Sequence, residues 1–186
     1  MALAMPLSNQ VVLITGCSSG IGRALAAELS ARGQRVFASA RNPVSIADLN
    51  CEHVALDVTD EASIRRAVDE VVSRAGRIDM LINNAGFNLI GPLAEVPLDG
   101  VRKLFETNLT GLLATTQAVI PHMAKQRRGR IVNVGSVVGL LPTPFAGPYC
   151  ATKAAVHMLS EVLRMECAPF DIDVIVVQPG GVRSRI

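Results

Sequence analysis

The sequence predicts an α/β fold, a doubly wound parallel sheet with helices packed on it, and three observations lead there. Six short apolar, β-branched runs alternate along the 186 residues with segments whose apolar positions recur at helical spacing. Aromatic residues make up only 3% of the chain while Ala, Val, Leu and Gly are plentiful, a mixture suited to helices lying close on a parallel sheet rather than to aromatic-rich hairpins. The first run passes directly into a glycine-rich turn and then a helix. With 49% hydrophobic and 18% charged residues the length suffices for one sizeable core, so a single domain over 1–186 is expected.

The first strand is Val11-Val12-Leu13-Ile14. It leads into Thr15-Gly16-Cys17-Ser18-Ser19-Gly20-Ile21-Gly22, which opens a helix with Ile21, Leu25 and Leu29 on one face. A chain without Cβ atoms turns sharply and comes close to a ligand. The unpaired N–H groups and positive dipole end of the new helix attract an anion, so this is the place for a phosphate. The spacing, Gly-x-x-x-Gly-x-Gly, is neither the Gly-x-Gly-x-x-Gly fingerprint nor a phosphate loop closing on Gly-Lys-Ser/Thr, and a glycine turn without a ligand is the plainer alternative. Gly33 stops the helix, and residues 35–40 form the second strand with Arg41 at its end. In a dinucleotide site an acid near this point accepts from the ribose 2′-OH, whereas an arginine accommodates a 2′-phosphate. Ala40-Arg41 brings no carboxylate; a surface arginine is the alternative.

The third strand, 53–56, ends in Asp57-Val58. Thr59 or Asp60 caps a helix with Ile64, Ala67, Val68, Val71 and Val72 as its stripe and Gly76 as its stop. The fourth, 78–82, leads into Asn83-Asn84-Ala85-Gly86, small and amide residues that predict backbone lying against a cofactor or a neighbouring strand. The longest helix is expected after Pro97, with Val101, Leu104, Phe105, Leu109, Leu112 and Leu113 on its apolar face and Asn108 among them. Left unpaired there, the amide would cost about 1 to 3 kcal/mol, so it must bond to backbone, water or a functional network.

Residues 130–135 form the fifth strand, with Ser136 at its carboxyl end, the edge that faces the ligand crevice in open α/β sheets. On the following helix Tyr149, the one tyrosine of the chain, stands four residues before Lys153. The two share a face, where an ammonium favours a tyrosinate. Tyrosine ionises near pH 10, so a base working near pH 7 needs about 4 kcal/mol of help at 1.36 kcal/mol per pKa unit; an ordinary helix surface is the alternative. The sixth strand, 173–177, precedes Pro179-Gly180-Gly181-Val182.

A net charge of +2 with no basic stripe leaves no electrostatic footprint for nucleic acid, and Lys125, Arg127, Arg128 and Arg130 read as a solvated helix end. Cys17, Cys51, Cys150 and Cys167 lie far apart without a Cys-x-x-Cys pair, so neither a metal site nor disulfides are expected and a reducing cytoplasm fits. Residues 1–10 lack the features of a signal peptide, and no run approaches the roughly 18 apolar residues of a membrane helix. A cytoplasmic protein without a transmembrane segment is expected.

In their joint order these motifs resemble the short-chain dehydrogenase/reductase family over nearly the whole chain. Gly16, Ser18, Ser19, Gly20, Ile21 and Gly22 resemble its cofactor loop, Asp57-Val58 its adenine contact, and Asn84, Ala85 and Gly86 the end of its Asn-Asn-Ala-Gly segment. Asn108, Ser136, Tyr149 and Lys153 match its catalytic tetrad, and Pro179, Gly180 and Val182 its nicotinamide-side turn. The resemblance implies a Rossmann fold of strand order 3-2-1-4-5-6 that binds NADP(H) in preference to NAD(H), with Arg41 reading the phosphate. It also implies hydride transfer between an alcohol and a ketone or aldehyde. Tyr149 is then the acid/base, Lys153 lowers its pKa and holds the nicotinamide ribose, Ser136 orients the substrate oxygen and Asn108 supports a water-linked proton path. Similarity in 16–20, 40–42 and 147–150 points to members acting on steroid, retinoid or acyl-glycerone-type carbonyls. A homodimer or homotetramer is implied, packed through helices spanning 98 to about 123 and 149 to about 166.

Two departures stand out. Ser184 replaces the family's usual threonine, and a substrate-covering helical segment and final strand lie outside this sequence, so the chain is expected to be C-terminally incomplete with the sixth strand an exposed edge. The alternative of another class is a nucleotide-binding regulatory or scaffold protein of the same fold without turnover. A hydrolase built on Ser136 is disfavoured, because Val137-Val138 follows it where a nucleophile elbow needs Gly-x-Ser-x-Gly.

Overall fold

Each of the six apolar runs is a strand, and all pair in parallel. A computed structural model describes residues 9–182, so Ser184 and residues 1–8 lie outside the described residues. In chain order the elements are β1 (Val11–Ile14), α1 (Gly20–Ala31), β2 (Arg35–Ala40), β3 (Glu52–Ala55), α2 (Glu61–Ala75), β4 (Met80–Asn83), α3 (Leu98–Phe105), α4 (Gly111–Gln126), β5 (Gly129–Val134), α5 (Gly147–Cys167) and β6 (Ile172–Val177). The sheet order is β3-β2-β1-β4-β5-β6, the doubly wound order expected. Ile14 pairs with Ala38 on one side and Ile82 on the other, and the chain leaves β1 and β4 in opposite directions. That reversal opens a crevice beyond their carboxyl ends.

Alternation along each strand divides the core in two. Leu13, Phe37, Leu81 and Ile131 face a cluster completed by Ile64, Val68 and Val71 of α2 and Val119 and Met123 of α4. Val12, Ile14, Val36, Ala38 and Ile82 face the other way, onto Ala26, Leu25 and Leu29 of α1. Burial on both faces is why these strands read as continuous apolar runs rather than alternating ones. Among the described residues no helix is long and apolar enough to cross a membrane.

Two expectations are corrected. The helix after Pro97 does run without a break from Leu98 to Gln126, but it is α3 and α4 joined by a π-helical turn, Glu106–Thr110, so that α5, with 21 residues, is the longest stretch of regular α-helix. A widened turn shifts the register by one residue and leaves the apolar spacing on either side intact, so periodicity does not disclose it. The fourth strand begins at Met80 rather than 78. Before it, Asp79, 1% exposed, still donates its backbone N–H to Val11 O at 2.9 Å and accepts from Arg130 N at 3.0 Å, and its carboxylate adds the Val11 N–H at 2.8 Å and ion pairs from Arg77 and Arg128.

Candidate active site

The crevice holds a cavity of about 350 Å³, walled by the turns that leave β1 through β6. Its glycine end comes from the β1 turn. Gly16 has φ +73° and lies so close to the β4 turn that a Cβ would stand 2.7 Å from Ala85 Cα. Gly22, buried in the first turns of α1, leaves room for Asn84: a Cβ there would be 2.3 Å from Asn84 Nδ2. That amide donates to Thr15 O at 2.9 Å and Gly16 O at 3.0 Å, and the Thr15 hydroxyl accepts from the N–H groups of Asn84 and Ala85 at 3.0 Å. The two turns are thereby stapled into one cradle. Ser19, at the N-cap of α1, makes no capping bond, so the helix presents its first N–H groups to the cavity, where Ser18, Ser19, Gly20 and Ile21 form the wall.

Along the next wall stand Arg41, Asp57 and Val58. Arg41 is exposed and makes no hydrogen bond or ion pair with another described residue, whereas Arg23 is tied to Asp48 and Ser45 O. The Asp57 carboxyl is held below its ordinary range, first by the Thr59 N–H, then by the Thr59 hydroxyl and the Arg41 charge, against the effect of burial.

The far end is built by side chains. Lys153 is 5% exposed, its Nζ donates to Val134 O at 2.7 Å, and it stands over the Tyr149 ring, 5.6 Å from the centroid. Burial pushes its pKa from 10.5 down to about 8. Burial also lifts the half-buried Tyr149 hydroxyl above its ordinary 10, while the Ser136 side chain facing it pulls the other way. The Ser136 hydroxyl lies 3.5 Å from Pro179 O, and Pro179, Gly180 and Val182 close this side.

Of the positions singled out from the sequence, all line the cavity except Gly22 and Asn108. Asn108 sits in the π turn, 1% exposed. Its Oδ1 accepts from Phe87 N at 3.0 Å, and its Nδ2 donates to Phe87 O at 2.9 Å and Thr152 Oγ1 at 3.3 Å. It clamps the β4 turn to α5, one residue from the wall residue Thr107. Sequence reasoning missed Phe87 and Thr107 in the wall, and a buried amide network behind it. Asn83 Nδ2 donates to Thr116 Oγ1 and Asn133 Oδ1, both at 2.9 Å, and Asn133 Nδ2 donates to Ser160 Oγ at 2.8 Å. An asparagine inside the run Ile131-Val132-Asn133-Val134 was the available signal.

In the segments that follow β4 and β5, Ile90, Leu93, Leu140, Leu141 and Phe145 are at least half exposed, as is Val182 of the cavity wall. A 2.8 Å bond from Gly91 N to Phe145 O joins the two segments. The four cysteines are free thiols, and burial pushes Cys17 up to about 12. Among the described residues no group of three or more His, Cys, Asp or Glu gathers as a metal site.

The Cβ-free cradle, the uncapped start of α1 and the unpaired Arg41 together fit a phosphate-bearing dinucleotide. The chain is 41% identical to the 3-ketodihydrosphingosine reductase of Bacteroides thetaiotaomicron, over 94% of its own length. It spans between 60% and 64% of the length of three curated relatives. Among solved structures it resembles a gluconate 5-dehydrogenase from Burkholderia cenocepacia in complex with NADP and tartrate. That match has TM-score 0.88 and 35% identity and covers 93% of this chain and 71% of the other. It also resembles a 3-ketoacyl-(acyl-carrier-protein) reductase from Brucella melitensis complexed with NADH, with TM-score 0.90 and 29% identity, covering 97% and 79%. Residues 10–186 match the model of the short chain dehydrogenases, and with this fold and this cavity the chain belongs to that family.

Proposed function

We propose that this protein is an oxidoreductase that interconverts an alcohol and a ketone or aldehyde by hydride transfer with NADP(H), Tyr149 serving as the acid/base. One observation carries the reading: Ser136 from the β5 turn and Tyr149 and Lys153 from α5 meet at one end of a cavity whose other end is the glycine cradle. A nicotinamide dinucleotide bound there supplies or takes up the hydride. The glycine turn and α1 hold its phosphates, with Asp57 and Val58 beside the adenine. Asn84, Ala85 and Gly86 form the floor, and Lys153 holds the ribose on the nicotinamide side. Ser136 orients the substrate oxygen, and Tyr149 moves the proton at that oxygen. Because burial holds Tyr149 above pKa 10, its neutral form prevails at pH 7 and suits donation to a carbonyl; accepting from an alcohol requires the phenolate.

Arg41 supports the preference for NADP(H), although of the two solved neighbours one is in complex with NADP and the other with NADH. The exposed apolar residues of the segments after β4 and β5 support a carbonyl on a hydrophobic skeleton, in keeping with the relative named 3-ketodihydrosphingosine reductase. Exposed Met158, Val162 and Met165 along α5 support a homodimer through that helix, in a single-domain protein, and free thiols fit a cytoplasmic setting.

The test is NADPH oxidation against apolar ketones by the full-length protein. Tyr149→Phe is expected to remove nearly all turnover with NADPH binding kept within a few fold. Reduction uses the neutral phenol and oxidation the phenolate, so oxidation of the alcohol is expected to gain on reduction as the pH rises. An undiminished rate in the phenylalanine variant refutes the assignment.

A further inference from the structure

One imidazole behind the site has no part in the roles above. His157 stands one helical turn beyond Lys153 on α5, and its Nε2 accepts from the Ser136 N–H at 3.3 Å. Two glycines make space for the ring. A Cβ on Gly135 would lie 2.3 Å from Nε2, and one on Gly139 would lie 2.6 Å from Cε1. A nitrogen that accepts carries no proton, so the neutral ring bears its proton on Nδ1, which is buried without a hydrogen-bond partner among the described residues. Burial and the nearby Lys153 charge hold the imidazole below its usual value, against Glu161, so this accepting form is the one present at neutral pH.

The place of this bond in the turn gives it meaning. The β5 ladder ends at Val134, and Gly135 still bonds to Val177 O at 2.8 Å. Val137 N then bonds to Pro179 O at 3.1 Å, and Ser136 O accepts from Gly139 N at 3.0 Å. The Ser136 N–H lies between these and points away from β6 toward α5, where His157 is its acceptor. The bond to His157 is therefore the one that bears on how the peptide joining Gly135 to Ser136 is turned.

We propose that His157 is a positioning residue: by accepting from the Ser136 N–H it sets the direction of the Ser136 hydroxyl against Tyr149. Its catalytic consequence rests on the function proposed above; the contact itself does not. The helix therefore contributes three groups a turn apart, one reacting, one charged and one aligning the serine across from them.

The test compares His157→Leu, which keeps bulk without an acceptor, with His157→Gln, whose amide oxygen reaches toward the place of Nε2. In the wild type, nitrogen chemical shifts of His157 are expected to report a bare Nε2 and a protonated Nδ1; the opposite tautomer overturns the proposal. The Ser136 amide is expected to be protected from hydrogen exchange in the wild type and the glutamine variant and unprotected in the leucine variant. With an apolar ketone and NADPH, the leucine variant is expected to lose ten- to a hundredfold in kcat, on the order of what a small misplacement does. Its NADPH Kd should be unchanged, and glutamine should restore kcat to within a few fold. Unchanged Ser136 protection in the leucine variant overturns the proposal, as does lost protection with kcat kept. Equal losses for both variants overturn it too, since ring packing then explains them. A wild type inactive on every carbonyl defeats the proposed function, while the shifts and exchange still decide the contact.

Discussion

The two ends of the cavity are made by different means. At the glycine end the shape is backbone: Gly16, Gly22 and the β4 turn approach closer than any Cβ permits, and Asn84 and Thr15 spend their polar atoms holding that approach. At the tyrosine end the shape is side chain, and the groups are electrostatically uncomfortable. Lys153 is a buried ammonium whose pKa has fallen to about 8, and Tyr149 is lifted above its ordinary value. The first kind of site is stable in itself and intolerant of added atoms. The second gives up stability for poised protons, so the same kind of substitution should have opposite effects on stability at the two ends.

The comparison breaks most severely at Gly22. Gly22→Val drives carbon into Asn84 Nδ2 and Gly16 O, which a Cβ already meets at 2.3 and 2.5 Å. The expected loss is about 3 kcal/mol of stability. NADPH and NADH binding should weaken alike, as measured by urea denaturation and by titration. Preserved binding would show that the staple between the two turns does not shape the cradle.

Arg41→Ala sharpens the same end chemically. A charge-assisted contact is worth roughly 1.5 to 3 kcal/mol, so NADPH should bind about ten- to a hundredfold more weakly while NADH is nearly unaffected, titrated at fixed salt. Equal loss for both cofactors would mean that Arg41 acts through Asp57 and the adenine side rather than on a 2′-phosphate.

The smallest effect is expected at the other end, and it has the opposite sign. Lys153 binds its proton more weakly folded, at about 8, than unfolded, near 10.5. The unfolded chain therefore takes up more protons across that window, and stability rises from pH 8 to 10.5. The full penalty, ~3 kcal/mol at 1.36 kcal/mol per pKa unit, applies below pH 8. Lys153→Met removes the penalty together with the bond to Val134 O, leaving a gain of about 1 to 2 kcal/mol at pH 7. That gain should vanish by about pH 10.5, read as the difference in urea midpoints from wild type. A methionine variant no more stable at pH 7 would show that the buried ammonium is well solvated.

Strands, their alternation with helices, a cap at Thr59 or Asp60, which the structure gives to Asp60, and the Gly76 stop were legible because each is written within a few residues. Tyr149 and Lys153 were legible for the same reason, being one helical turn apart. The role of Asn108 was half legible: its burial followed from the apolar face, but its partners, Phe87 and Thr152, lie 21 and 44 residues away. Asp79 gave no signal at all, since an acid before a strand reads as surface until Val11, Arg77 and Arg128 are brought around it.

By itself, then, the sequence determined the class of fold, the glycine turn and the one-turn spacing of tyrosine and lysine, because periodicity, capping and glycine geometry act over short stretches of chain. Only the tertiary structure decided the π turn at Asn108, the staple of Asn84 on Gly16, the depressed pKa of Lys153 and the imidazole behind Ser136. Each of these depends on desolvation or on a hydrogen-bond partner many residues distant, and neither exists until the sheet has assembled.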